Sequence, residues 1–522
     1  MVLIFCLKNL TGIEIFKMNP IFKTDAYKVS HKKFETEGTE YVQANFTPRS
    51  FRLNPIDIDR CVVFGTQRMV MRLVDMWNKN FFERPKEEVI DEAVRIFSRY
   101  LGMTSEDLKH FEQLHDIGFL PIQVRGLREG VTVKEKTPIL LIENTIPGFS
   151  WLVTYLETWI STEMWLPMTS ATTIYHFRKL VNEWAIKTTG SLNGTEFQLH
   201  DFSYRGMGPD EAGASGAGFL LSSLGTDSIP AIVELETYYN ADIEKEPIAF
   251  SVPATEHSVT CVGIAVNGEK ETIKKWITED YPTGIVSIVS DTLDYWKVIT
   301  EYAADLKEDI LNRVPNEIGL AKVVFRPDSG DPVKVLTGYM EEEYYVEEDG
   351  TCISRDDGKE LSDAEIKGSV DLFGGSTTEE GYKVLHERVG LIYGDSITYE
   401  KAQQIFERLE RKGFASTNVV LGVGSYTMRY VTRDTLGSAV KVTYAKVNGV
   451  DYEVEKNPVT DSGVKKSAKG YLDVAAMNGD FVLVQKSEPF TSKSSAMVTY
   501  LDDGMMNSYL SQLSDIRNRL WG

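Results

Sequence analysis

Apolar and polar positions along this chain fall into two styles. In the first 165 residues, Tyr41-Val-Gln-Ala-Asn-Phe46 and the run 62–64 read as strands. A helical stripe follows in Val89, Ala93, Ile96, Phe97 and Tyr100, with Pro85 in its first turn and Gly102 past its end. Thr104 and Asp107 predict a capping pair for the next helix. Residues 122–142 alternate around Gly126 and Gly130 and read as β-hairpin material. Residues 150–165 read as one long helix whose stripe of Trp151, Tyr155, Trp159 and Trp165 belongs to the core or to a subunit interface.

From about residue 195 short apolar runs alternate with helical stretches, and each run ends in glycine or polar residues. The runs are 196–202, 248–253, 284–291, 323–328, 389–395 and 418–424, with helical patterns between them at 272–280 and 398–412. Repeated β-then-α units predict a parallel sheet. Functional groups at the carboxyl ends of successive strands favour a barrel, with a doubly wound open sheet as the competitor. No GxGxxG follows a strand, which weakens a dinucleotide-binding version of the open sheet. An acidic interruption between Tyr339 and Thr377 reads as a surface hairpin or insertion.

The length of 522 residues exceeds a single compact core, so two domains, or one large barrel with additions, are expected. A formal net charge of −21 opposes non-specific nucleic-acid binding, so any phosphate site must be a local basic pocket. Cys6, Cys61, Cys261 and Cys352 are scattered without zinc or CxxC spacing, which predicts a reduced, cytoplasmic protein. No stretch reads as a membrane span. Met18-Asn19-Pro20 offers a second start, which would make residues 1–17 a dispensable extension.

The densest chemistry lies in Ala321-Lys-Val-Val-Phe-Arg-Pro-Asp-Ser-Gly-Asp-Pro332. A short apolar run turns abruptly into Arg326, Asp328 and Asp331. The arginine suits a phosphate, and the carboxylates suit ribose hydroxyls or Mg²⁺. Taken alone, the stretch is equally an ordinary strand exit with a solvated salt bridge. Leu199-His-Asp-Phe-Ser-Tyr-Arg-Gly206 places His200, Phe202 and Arg205 together, enough to stack a flat ring and hold an anion. Ser251-Val-Pro-Ala-Thr-Glu-His-Ser258 puts His257 near a strand end. Beyond Tyr430 a basic group appears: Arg433, Lys441, Lys446, Lys456, Lys465, Lys466 and Lys469, of which Lys446 and Lys469 read as solvated surface.

The strings LHDFSYRG, SVPATEHS, VSDTLD, FRPDSGDP, YGDS and VTRD, in this order, resemble the nicotinamide phosphoribosyltransferases, which are type II phosphoribosyltransferases. The N-terminal NPIFKTDAYKVSH and the late KNPVTD match as well, so the resemblance runs from about Asn19 to about Gly470. It implies an α/β fold: an irregular (β/α) barrel over 166–429, with 338–380 inserted, and a discontinuous α+β domain from 18–165 and 430–522. It implies phosphoribosyl transfer from phosphoribosyl pyrophosphate to nicotinamide, giving nicotinamide mononucleotide and pyrophosphate, with Mg²⁺ required and ATP optional. Partners implied are a second copy in a homodimer with shared sites, and neither nucleic acid nor membrane.

The same resemblance implies roles residue by residue. Phe202 stacks on nicotinamide, with Tyr27 of the other subunit on the opposite face. Asp227 and Ser287 bind near the carboxamide. Arg326 and Asp328 serve the base and ribose, and Asp291 and Asp328 lie near the metal. Gly394, Asp395 and Gly424 approach the ribose and 5′-phosphate, with Ser425 beside them. Arg205, together with Arg49, Arg433, Lys441, Lys456 and Lys465 of the other subunit, grips phosphate and pyrophosphate. His257 is the histidine that ATP phosphorylates. The chain departs from the family at Gly422-Val-Gly-Ser-Tyr426, where a glycine run is usual, and at Thr417, where glutamate is usual. The competing readings are nicotinate phosphoribosyltransferase and a catalytically silent binding protein of the same fold.

Overall fold

The computed structural model describes residues 18–371, 373–460, 466–486, 494–507 and 511–522. The expected extension 1–17 and Lys465 lie outside the described residues. The chain divides into two compact units, one drawn from Met1–Thr169, Tyr238–Asn240 and Thr432–Gly522, the other from Ser170–Thr237 and Ala241–Val431. No helix among the described residues is long and apolar enough to cross a membrane.

The first unit is built on a seven-stranded antiparallel sheet in the order Val450–Glu453, Ala439–Val447, Thr39–Thr47, Leu140–Asn144, Ile122–Gly126, Val498–Asp502, Met505–Met506. Thr39–Thr47 pairs with Ala439–Val447 on one side and Leu140–Asn144 on the other, so both ends of the sequence meet in one sheet. Residues 122–142 do form antiparallel partners, but Thr132–Val133 leaves them to pair with Cys61–Val62. The expected helix over 150–165 breaks at Leu156 into Ser150–Tyr155 and Glu157–Thr189. Trp151 and Tyr155 are core residues, their rings edge-on to Phe111 at 5.2 and 5.4 Å. The Thr104–Asp107 pair forms as read: both the Thr104 amide and its hydroxyl donate to the Asp107 carboxylate, at 2.9 and 3.0 Å.

The second unit holds a six-stranded parallel sheet: Gly225–Thr226, Leu199–Phe202, Val419–Gly424, Val389–Tyr393, Ala321–Arg326 and Gly284–Val289. Residues 248–253, expected as a strand, make no continuous ladder. Instead Phe250 bridges Gly225 at one sheet edge and Ala254 bridges Ser287 at the other. Pro253 has no N–H, and its carbonyl accepts from the Ser287 amide at 2.9 Å. The segment therefore joins the two edges, and the seven staves follow one another around the ring in chain order, as an irregular (β/α) barrel requires.

The acidic insertion is more than a hairpin. Tyr344–Val346, Cys352–Ser354 and Glu360–Leu361 form a three-stranded antiparallel sheet. Arg408, on the helix Tyr399–Arg411, holds it through a two-pronged contact to Glu343 at 2.6 Å on each prong.

Candidate active site

Every stave of the barrel delivers a functional group where its chain emerges. On the inner face of Leu199–Phe202, His200 and Phe202 lie two residues apart, as strand alternation requires, with ring centroids 4.6 Å apart. Asp227 follows Gly225–Thr226, and its amide donates to the Asp201 carbonyl at 3.0 Å. The Asp227 carboxylate accepts from His200 Nε2 at 2.9 Å and Ser251 Oγ at 2.7 Å. Burial alone would raise this carboxyl; the hydrogen bond and charge of His200, the Ser251 hydroxyl and the Arg326 charge outweigh it and hold it below the ordinary carboxyl range. An ionised acceptor therefore sits beside an aromatic face.

Arg326, the last residue of Ala321–Arg326, places its guanidinium 5.8 Å from the Phe202 ring centroid and donates from Nη2 to the Thr255 carbonyl at 2.6 Å. Its Nε is buried and, among the described residues, has no hydrogen-bond partner, a donor left for a ligand. Ser287, inside Gly284–Val289, is buried, and its main chain bonds to Pro253 and Thr255.

A carboxylate group lies on the next staves. Asp291 Oδ2 accepts from the Asp328 amide at 2.8 Å and from Ser329 Oγ at 2.6 Å, while its Oδ1 is buried and, among the described residues, has no hydrogen-bond partner. His257, which begins the helix His257–Asn267, has Nδ1 2.9 Å from Thr292 Oγ1 and Nε2 3.6 Å from Asp291 Oδ1 and 4.0 Å from Asp328 Oδ2. Burial pushes the Asp328 carboxyl above its ordinary range; Arg326 and His257 oppose the shift and Asp291 and Asp395 add to it. Asp291 and Asp395 thus both lie within electrostatic reach of Asp328.

The glycines at these strand ends are required by the close approach of neighbouring side chains. A Cβ on Gly394 would lie 2.7 Å from Asp328 Oδ1, and one on Gly424 would overlap the Asp395 carboxylate. Gly206, beside the exposed Arg205, packs against Ser425 so closely that a Cβ there would overlap its side chain. At Gly422-Val-Gly-Ser-Tyr426 the departure from the glycine run is absorbed by the change of element: Val423, in the strand, is fully buried, whereas Tyr426, in the helix Ser425–Arg429, is exposed and stacks on Tyr430 at 5.1 Å. Gly424 and Ser425 keep the strand-to-helix turn.

The remaining expected residues gather in the first unit around Glu157. This carboxylate pairs with Lys28 and lies 3.5 Å from Lys441 Nζ. Burial lowers the Lys441 ammonium, with Glu157 opposing and Arg49 and Lys456 adding to the shift. Burial, Asp25 and Glu157 raise the Tyr27 hydroxyl while Arg433 lowers it, so these groups share one field. Tyr27 is 60% exposed. Arg49 Nε donates to the Gly437 carbonyl at 2.9 Å, and the Lys456 amide donates to Ser467 Oγ at 2.8 Å. Lys446 and Lys469 lie near Asp451 and Glu453 at 4.0 and 3.5 Å, as solvated surface residues do.

Sequence reasoning did not single out Ser251, Thr292 or Glu157, and left His200 without a role. Ser251 and His200 stood within quoted strings, but only the fold brings their side chains to Asp227.

The lowered Asp227 carboxyl has a stability consequence with a definite sign. A depressed group stabilises the fold above its unfolded value and loses that contribution as pH falls through its folded value. Wild type should be more stable than Asp227→Asn above the ordinary value of 3.8, and the difference should fade as pH falls below it. Denaturant melts of both proteins across that range check this; a pH-independent difference contradicts it.

The comparisons with known proteins follow this geometry. A family model described as the nicotinate phosphoribosyltransferase (NAPRTase) family matches residues 197–493, and one for the nicotinamide phosphoribosyltransferase N-terminal domain matches 19–124. The chain is 46% identical, over 97% of each sequence, to a protein of Acinetobacter baylyi named nicotinamide phosphoribosyltransferase. It is 30% identical, over 94% of this chain and 95% of the relative, to one of Xanthomonas campestris with the same name. Among solved structures, a nicotinate-nucleotide pyrophosphorylase from Pyrococcus furiosus aligns over 98% of this chain and 97% of its own with a TM-score of 0.53 at 14% identity, which is a likeness of fold. The chain belongs to the nicotinate phosphoribosyltransferase family, and within it to the nicotinamide phosphoribosyltransferases.

Proposed function

We propose that this chain is a pentosyltransferase that moves phosphoribosyl from phosphoribosyl pyrophosphate to nicotinamide, yielding nicotinamide mononucleotide and pyrophosphate for NAD salvage. The observation that carries the reading is the convergence, at one end of one barrel, of an aromatic face, an ionised Asp227 and a cluster of carboxylates. The pyridine ring lies on Phe202, with Arg326 holding its edge. Its ring nitrogen attacks the anomeric carbon as pyrophosphate leaves, through an oxocarbenium-like transition state. No protein nucleophile is needed; orientation and charge stabilisation do the work. Asp328 and Asp395 take the ribose hydroxyls, and Gly394, Gly424 and Ser425 let phosphate approach the backbone. Arg205 grips an anionic oxygen.

The carboxylates suit Mg²⁺. Asp291 presents a buried oxygen with no hydrogen-bond partner among the described residues, Asp328 lies beside it, and burial already penalises the charge of Asp328. Among the described residues no group of three or more His, Cys, Asp or Glu is arranged to hold a metal ion by itself, so Asp291 and Asp328 would supply only part of the shell and substrate oxygens and water the rest, as Mg²⁺ prefers. When bound, the ion neutralises charge on the departing pyrophosphate. ATP is an optional cosubstrate: with His257 Nδ1 engaged by Thr292, Nε2 is the nitrogen open to phosphorylation. The protein works as a homodimer, in which Tyr27, Arg49, Arg433, Lys441, Lys456 and Lys465 of one subunit complete the partner's site. The reading makes it a cytoplasmic enzyme with neither a nucleic-acid nor a membrane partner.

Asp227 selects the amide. The carboxamide brings N–H donors that an ionised aspartate accepts. Nicotinate brings a second carboxylate, and like charges about 4 Å apart at an effective dielectric near 20 repel by roughly 4 kcal/mol. A residue of ~1.4 kcal/mol after screening is already tenfold.

Three experiments test the proposal. Mononucleotide formation from phosphoribosyl pyrophosphate, Mg²⁺ and either base should favour nicotinamide, and Asp227→Ser should lower kcat/KM for nicotinamide while raising it for nicotinate. Turnover of nicotinate alone would make the chain a nicotinate enzyme, no turnover a silent binding protein, and unchanged discrimination in the variant would remove Asp227 from specificity. Mixing Tyr27→Ala with Asp328→Ala subunits under exchange should restore activity through one intact hybrid site; a fully active monomer contradicts shared sites. ATP should accelerate the wild type and not His257→Ala; stimulation that survives the substitution makes the assignment of His257 wrong.

A further inference from the structure

We propose that His200 is a positioning residue that sets base selectivity by fixing the rotation of the Asp227 carboxylate. The inference rests on the reading of Asp227 as the carboxamide acceptor. Two donors converge on the same oxygen: His200 Nε2 and Ser251 Oγ both reach Asp227 Oδ1, at 2.9 and 2.7 Å. Among the described residues Oδ2 accepts no hydrogen bond. A carboxylate held at one oxygen by two fixed donors presents the other in a defined direction. A carboxylate held by neither would turn to solvent.

The imidazole is itself confined. Phe202 covers it at 4.6 Å with an interplanar angle of 35°. On the adjacent stave, a Cβ at Gly225 would lie 2.8 Å from His200 Nδ1, so only glycine leaves the ring its place. Since ionised Asp227 offers no proton, Nε2 must carry a hydrogen, in the neutral ring and the imidazolium alike. The same imidazole therefore buttresses both elements that meet the base, the stacking ring and the amide acceptor. Among the described residues, the Asp291 and Asp328 carboxylates make no hydrogen bond or ion pair to His200 or Asp227, so the effect of this pair should be confined to the base.

His200→Leu removes the donor and keeps apolar bulk, whereas His200→Gln keeps an N–H donor at similar reach. A hydrogen bond to a charged group supports an effect of about tenfold. His200→Leu should raise KM for nicotinamide by about that factor with a smaller change in kcat, leave KM for phosphoribosyl pyrophosphate within about twofold, and reduce the nicotinamide-to-nicotinate preference. His200→Gln should recover most of the preference. Equal losses for both bases, or a glutamine variant no better than leucine, overturn the inference, because a purely structural histidine behaves that way. A second measurement needs no turnover: nitrogen NMR of labelled histidine should show His200 protonated at Nε2, with its signal displaced in Asp227→Asn. An Nδ1–H tautomer, or a signal indifferent to that substitution, also overturns it. A wild type inactive with nicotinamide would instead refute the proposed reaction, leaving the NMR result to decide the His200–Asp227 contact.

Discussion

Arg326 ties three staves of the barrel to one another and to the chemistry. Its Nη2 donates to the Thr255 carbonyl, its guanidinium carbon lies 5.8 Å from the Phe202 ring centroid, and its charge opposes the burial and the neighbouring carboxylates that raise the Asp328 carboxyl. Without that cation, the aromatic wall and the carboxylate group would be adjacent with nothing between them to balance charge. With it, a flat base edge and an anionic sugar phosphate can be held side by side. Its buried Nε, lacking an acceptor among the described residues, is the clearest sign that the pocket is shaped for something not built from protein.

The other constraint is closure. The segment 250–254 bonds first to the Gly225 edge and then to the Ser287 edge, so Ser251, Thr255 and His257 lie between staves that no continuous ladder joins. That geometry carries Ser251 to Asp227 and His257 toward Asp291 and Asp328. An ordinary strand in this place would bond along its whole length to both neighbours and could not release its side chains so soon.

Much of this was legible in the residues. Apolar runs that end in Phe202, Asp291, Asp328 and Asp395 announce parallel strands with chemistry at their carboxyl ends, because burial of both faces and exposure of one end are written in composition. The Thr104–Asp107 pair was legible because capping is local. What was not legible depends on contacts between distant segments. Residues 248–253 have strand composition, yet their partners change midway, which periodicity cannot register. The helix break at Leu156 and the meander of the insertion escape for the same reason. His200 reads as one polar residue in an alternating strand, and its role appears only when Gly225 and Ser251 are brought beside it. Val423 and Tyr426 looked like intrusions in a phosphate loop, but the strand carries the first into the core and the helix that follows turns the second to solvent.

The most direct measurement of the central claim, that the strand ends of one barrel form a single site for base and phosphoribosyl, is a crystal structure with nicotinamide mononucleotide bound. The pyridine ring should lie on Phe202 with its carboxamide nitrogen at Asp227, and the ribose should face Asp328 and Asp395 with the 5′-phosphate beside Gly424 and Ser425. A nucleotide bound away from these strand ends, or with its carboxamide turned from Asp227, would contradict the account.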